Sequence, residues 1–136
     1  MKKTISVLIT GLILVSAFMM IWNQPEKRVT RFIDKNSALL EEKIQHDEPL
    51  PAAETGKYWN VWTAEHEMVE FILFTWGNTY YGCYYSEDDV PLPFQNGEGI
   101  RLNKTADNSW QWHSQGDNKG ITRRIKEKWY YFEASF

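Results

Sequence analysis

The sequence predicts a mainly β protein: a small antiparallel β-sandwich or barrel, preceded by an N-terminal transmembrane helix and a helical stem. Three observations carry this. An apolar run near the N-terminus is followed by a charged segment of helical periodicity. A stretch reading HDEPLPAAETGK, His46–Lys57, then breaks that periodicity with two prolines and a glycine. Beyond it, aromatic and β-branched residues recur in short runs separated by turn residues, the pattern of an all-β fold. The chain therefore divides into an anchor over 1–24, a helical stem and proline linker over 25–57, and an aromatic-rich β domain over 58–136.

Composition narrows the class. With 136 residues there is room for one folded domain. A net charge of −3 and an isoelectric point near 5.6 exclude a nucleic-acid binder, which needs a basic excess against phosphate. Charged residues at 24% and hydrophobic ones at 43% exclude wholesale disorder. The single cysteine excludes an intrachain disulfide and a Cys-rich zinc site.

In the anchor, the run Ile5–Trp22 has Ser6, Thr10, Gly11 and Ser16 as its least apolar members. At about 1.5 Å per residue it reaches about 27 Å, just enough for a thin hydrocarbon core. Lys2 and Lys3 precede it, as at the start of a signal peptide. Its end, Ala17-Phe18-Met19-Met20-Ile21-Trp22, places bulky side chains where a peptidase needs small ones, so the segment reads as an uncleaved single span. Trp22 suits the membrane interface. Counting bases (Lys27, Arg28, Arg31 and Lys35 after the run) would keep the C-terminal part in the cytoplasm. A short Lys-Lys start directly on an apolar run instead resembles a signal-anchor, and the expectation is an extracytoplasmic domain.

The stem opens with Pro25, tolerated in a helix's first turn, and Glu26, which suits the positive end of the helix dipole. Val29, Phe32, Ile33, Leu39, Leu40 and Ile44 follow at roughly helical spacing, predicting an amphipathic helix over Pro25–Gln45. The irregularity at Asn36-Ser37 argues against a coiled coil.

The β domain contains one strong hairpin signal. Val69–Trp76 and Thr79–Ser86 flank Gly77-Asn78, the pattern of two strands around a two-residue primed turn. Further strands are expected at Tyr58–Trp62, Ile100–Lys104, Trp110–His113, Gly120–Ile125 and Trp129–Phe136. Alternation puts Trp110 and Trp112 on one face of their strand. It also puts Tyr130, Phe132, Ala134 and Phe136 on one face of the last strand, with Trp129, Tyr131, Glu133 and Ser135 on the other. So apolar a strand is expected to be internal, and the piece Tyr58–Phe136 is expected to fold without the stem.

Chemistry-bearing residues are few. Cys83 sits mid-strand between Gly82 and Tyr84 and reads as buried and structural, rather than as a nucleophile paired with His66 or His113. No G-x-S-x-G elbow, H-E-x-x-H or glycine-rich phosphate loop is present, and no cofactor is implied. Glu87-Asp88-Asp89 reads first as a solvated turn with a capping Asp, and second as a calcium or ligand site. Lys119, Arg123, Arg124, Lys126 and Lys128 read first as a solvated strand edge, and second as a contact for an anionic partner such as lipid headgroups, a teichoic-type polymer or an acidic protein. Pairing of an Arg with Asp88 or Asp89 is a third, structural option. Trp110 and Trp112 serve the core or a sugar-stacking platform. Asp88, Asp89, Trp110, Trp112 and Arg123 are thus the candidate binding residues, with no metal site.

The segments Tyr81–Pro91, YGCYYSEDDVP, and Trp129–Phe136, WYYFEASF, resemble an uncharacterised family of small bacterial membrane- or lipid-anchored envelope proteins. The resemblance spans about the last seventy residues and implies an envelope protein, without an activity. This chain lacks the cysteine after its apolar run that a lipid anchor requires. The expected role is a non-catalytic interaction module held by a single membrane span, facing an envelope protein or polymer. The alternatives are a wall-polymer hydrolase built from Asp88, Asp89, His113 and Arg123, and an accessory subunit of a membrane complex.

Overall fold

The structure is a computed structural model that describes residues 13, 14, 16, 24–50, 60–64 and 67–136. Most of the expected anchor and part of the proline linker lie outside the described residues. Among the described residues, no helix is long and apolar enough to cross a membrane.

Helix α1 spans Pro25–Gln45, with proline at its start, Glu26 in the first turn and Lys43 in the last. The strands are β1 Asn60–Ala64, β2 Met68–Trp76, β3 Thr79–Ser86, β4 Asn103–Ala106, β5 Ser109–His113, β6 Lys119–Lys126 and β7 Trp129–Ser135. They form one antiparallel sheet in the order β1-β2-β3-β7-β6-β5-β4. The mainly β class holds. The expected sandwich or barrel does not: the described residues form a single sheet, with β1 and β4 at its edges.

The reason lies in the central strands. A sheet with one solvated face alternates apolar and polar residues. β3 and β7 instead alternate apolar with apolar. Cys83, Tyr85, Trp129 and Tyr131 are buried in one cluster, while Tyr84, Tyr130, Phe132 and Ala134 are buried in another. Both faces therefore need a cover. On the first face the cover is α1, whose Val29 and Ile33 are 0% and Leu40 2% exposed against Phe71, Cys83 and Trp129. Each such side chain contributes roughly 1.5–3 kcal/mol when buried. The helix predicted as a stem is thus a layer of the fold. Asn36 and Ser37, which break its apolar rhythm, are buried as well: Asn36 Nδ2 donates to the Phe32 carbonyl at 2.8 Å, and Lys126 Nζ donates to Ser37 Oγ.

The second face is covered by the segment Val90–Leu102, which we call the strap. Leu92, Phe94, Ile100 and Leu102 pack onto the second cluster. Ile100 and Leu102 were expected to begin a strand; they serve the strap instead, and β4 starts only at Asn103. At Phe94–Asn96 the strap makes a 3-10 turn in which Gln95 (φ 51°) and Asn96 (φ 47°) are left-handed, a costly conformation for residues other than glycine.

The β2–β3 hairpin forms as predicted. Trp76 pairs with Thr79, and Gly77 takes φ 59°, as a glycine-first primed turn requires. The register shifts between Ile72 and Phe74. Opposite this irregularity, a Cβ at Gly82 would sit 2.0 Å from the Phe71 carbonyl oxygen and 2.8 Å from the Phe132 ring, so only glycine fits. The faces of β7 and of Trp110 and Trp112 are as the alternation predicts. β7 is internal, paired with β3 and β6. β6 is also internal, between β7 and β5, so its basic residues do not line a sheet edge as expected.

Candidate functional site

The turn after β3 was the first sequence candidate, and its carboxylates part company. Glu87 pairs with Lys128 at 3.4 Å, and Asp88 stands exposed. Asp89 turns inward in a left-handed conformation (φ 53°) and pairs with Arg124, whose Nε donates to Oδ1 at 3.2 Å. The Lys128 backbone N–H donates to the same oxygen at 2.8 Å, and the Tyr130 hydroxyl donates to the Asp89 carbonyl at 2.8 Å. The Arg124 guanidinium beside Asp89 holds its carboxyl below the usual carboxylate range. Thus one carboxylate clamps the β3 turn to the β6–β7 turn, the capping and Arg-pairing options together. Among the described residues no three His, Cys, Asp or Glu side chains gather as a metal site would need.

Arg123 lies on the other face. Its Nη1 donates to Glu26 of α1, and neighbouring Lys126 reaches Ser37, so the basic residues of β6 are divided between the two covers of the sheet. His113 lies at the far end of β5: it pairs with Lys119, whereas Ser109 pairs with Arg123. Asp89 and Arg123 therefore have the sheet between them, and His113 is about 13 Å along the strand from the level of Arg123. The hydrolase set does not assemble. Trp112 is 1% exposed and packs on Gly120, where a Cβ would meet its ring at 2.5 Å. Trp110 is half-buried near Tyr130, with ring centroids 6.3 Å apart. Both tryptophans belong to the second cluster and present no open stacking platform.

Sequence reasoning missed Glu70. It is 0% exposed on the strap face of β2; Oε2 accepts the Gln95 N–H at 3.0 Å, and Oε1 is buried without a hydrogen bond. Burial pushes its carboxyl up to about 8, against the lowering effect of the Gln95 hydrogen bond. The signal was available: Glu70 is the one charge in the run Val69–Trp76, and a period of two places it beside Met68 and Ile72. Next to it a hydrogen-bond chain crosses from strap to sheet. The Leu92 N–H donates to the Tyr84 hydroxyl at 2.9 Å, and Thr122 Oγ1 donates to the Tyr131 carbonyl at 3.1 Å. Thr122 has one proton, so Tyr84 must donate in their shared 2.7 Å contact. Desolvation raises the Tyr84 hydroxyl far above its ordinary range, consistent with a permanent donor. Cys83 is 0% exposed, and burial, with Glu70 adding, pushes its thiol well above the ordinary value, so it carries no thiolate at neutral pH.

Two hollows open at opposite ends of the sheet. One, of about 480 Å³, lies between the end of α1 and β2–β3, lined by Lys43, Leu50, Met68, Tyr85 and Glu87 among others. The buried Tyr85 hydroxyl makes no well-formed hydrogen bond there, with Lys128, Glu87 and Gln45 as polar neighbours, and burial raises its ionisation above the ordinary value. The other, of about 530 Å³, lies between the β2–β3 turn and the β5–β6 loop, lined by Asn78, His113, Asp117, Lys119, Ser135 and Phe136 among others. No protein-family model, curated protein or solved structure matches this chain.

Proposed function

We propose that the chain is a single-span membrane protein of a bacterial envelope, with its β domain outside the membrane acting as a non-catalytic interaction module. The observation that carries the reading is the docking of α1. The apolar run ends at Trp22, and three residues later begins a helix fixed along its length to the sheet. A span over Ile5–Trp22 would hold the whole sheet close to the membrane rather than on a swinging stalk. The charged residues that could have served chemistry, Asp89, Arg123 and Arg124, are spent on joining elements of the fold. The wall-polymer hydrolase loses its support because its four residues are split by the sheet. Among the described residues, the surfaces open to a partner include the two end hollows and the exposed turns.

Cell fractionation tests the reading. The full chain is expected in the membrane pellet, resistant to high salt and alkaline carbonate and released by detergent. A C-terminal epitope is expected to be digested by protease added to spheroplasts. Recovery in the soluble fraction would overturn the anchor, and an epitope resistant until lysis would overturn the orientation.

A further inference from the structure

Trp76 is 74% exposed at the end of β2, and Phe136, just past the end of β7, is 48% exposed. Both stand at the turn end of the sheet: Trp76 pairs with Thr79 across the turn, and the Phe136 N–H donates to the Asn78 carbonyl at 3.2 Å while its ring packs on Tyr80, Phe94 and Trp112. Single exposed apolar residues are ordinary on protein surfaces. What distinguishes this pair is its place. The Phe32 ring of α1 lies 6.3 Å from Phe71, and one turn nearer the helix start the Arg28 guanidinium lies 4.0 Å over Phe74. Moving along α1 toward Pro25 is thus moving along β2 toward Trp76. At the other end, Lys126 meets Ser37 and Trp129 meets Glu41. The start of α1 and the Trp76 turn lie at one end of the molecule, and the three residue steps from Trp22 to Pro25 span at most about 10 Å.

The charges at this end suit the same surroundings. Lys27 and Arg28 are exposed on the first turns of α1, and Lys119 lines the 530 Å³ hollow beside Phe136. The acids at this end are Glu26, which Arg123 engages, Glu133, which accepts from the Tyr131 hydroxyl, and Asp117 in that hollow. Aromatic side chains settle at the headgroup level, and cations next to them are drawn to lipid phosphates. We propose that this end of the sheet, with Trp76 and Phe136 at its tip, seats in the headgroup layer of an anionic bilayer. The partner is a lipid surface, and the aromatic pair fixes the tilt of the β domain on it. The proposal rests on the anchored reading above.

The test uses the full chain reconstituted in vesicles of phosphatidylcholine and phosphatidylglycerol, with one environment-sensitive thiol probe at Asn78→Cys or, at the opposite end, at Glu127→Cys. The buried Cys83 stays unlabelled. The probe at position 78 is expected to emit further to the blue and to be quenched by aqueous iodide severalfold less than the probe at 127. Adding Trp76→Ser, which touches no core, is expected to remove most of that difference. Equal quenching at both positions in chain that floats with the vesicles overturns the proposal alone. Chain that does not float with the vesicles overturns the anchor and the proposal with it.

Discussion

Glu70→Gln is the most informative single change. In the folded chain the Glu70 carboxyl is pushed up to about 8 from an ordinary 4.5 because it is buried under the strap. Its folded-state value lies above its unfolded one, so the native state binds the extra proton. Stability is then full below about pH 4.5, falls by about 1.4 kcal/mol per pH unit above that, and levels off above about pH 8. The whole window amounts to about 5 kcal/mol, comparable to the total stability of a small domain. At neutral pH, about 3 kcal/mol of it has already been lost to keeping the group protonated. Glutamine has the same shape and no charge to titrate. Its carbonyl can accept the Gln95 N–H, while its amide N–H groups enter a site where Oε1 has no partner, at a cost of about 1–3 kcal/mol. The two effects nearly cancel at neutral pH, so a single melting temperature would decide little. The slope decides: urea unfolding from about pH 5 to about pH 8 should show falling stability in the parent and a nearly flat profile in Glu70→Gln. Every other ionisable group is common to both proteins, so the difference between the two profiles isolates Glu70. Parallel profiles would refute the burial of an ionisable Glu70 and with it the docking of the strap at Gln95.

Five further outcomes are expected. A fragment starting at Tyr58 should fail to melt cooperatively, because without α1 the face of Phe71, Cys83, Trp129 and Tyr131 is bare; a cooperative β spectrum from it would return α1 to the status of a stem. Within the full chain, Ile33→Ala or Leu40→Ala should cost about 2–5 kcal/mol by denaturant unfolding. Deleting Trp129–Phe136, or Phe132→Ala at about 3–5 kcal/mol, should leave little folded protein, as a melting curve would show. Cys83 should react with a thiol reagent only as fast as the fold opens, which stoichiometric native-state labelling within seconds would contradict. Asp89→Asn should weaken the clamp to Arg124 and remove stability that the parent holds above the ordinary Asp value and loses as pH falls through the depressed folded one; the check is a difference between the two acid-denaturation curves.

Local features were legible because local physics sets them. Helix α1 has the predicted bounds, since proline at its start and the run of prolines after Gln45 act within a few residues. The Gly77 hairpin, the facing of Trp110 and Trp112 and the alternation of β7 follow from backbone periods that do not depend on the rest of the fold. How the elements come together was less legible. The same period of two, carried through β3 and β7, states that both faces are apolar, and a sheet apolar on both faces calls for two covers. The amphipathic helix with an unpartnered stripe was one cover in plain view, and the apolar residues among the prolines of Val90–Leu102 were the other. Pairing order, and thus the internal place of β6, depends on contacts distant in sequence, which no window of residues contains.

The site residues follow the same division, and they show why charge in the sequence was a poor guide. Asp89, Arg123 and Arg124 drew attention because charged residues clustered near them, yet each is consumed by a fold contact: Arg124 with Asp89 on the strap face, Arg123 with Glu26 on the helix face. Opposite charges near both ends of a two-faced sheet are what fastening two covers requires. The residues that remain available are those that the covers leave exposed at the ends of the sheet. Trp76 is exposed because it is the last residue of β2 before the turn, and Phe136 because β7 ends one residue before it. Their exposure follows from the lengths of two strands, and only the direction of α1 gives it meaning, by bringing that end of the sheet to where the apolar run stops.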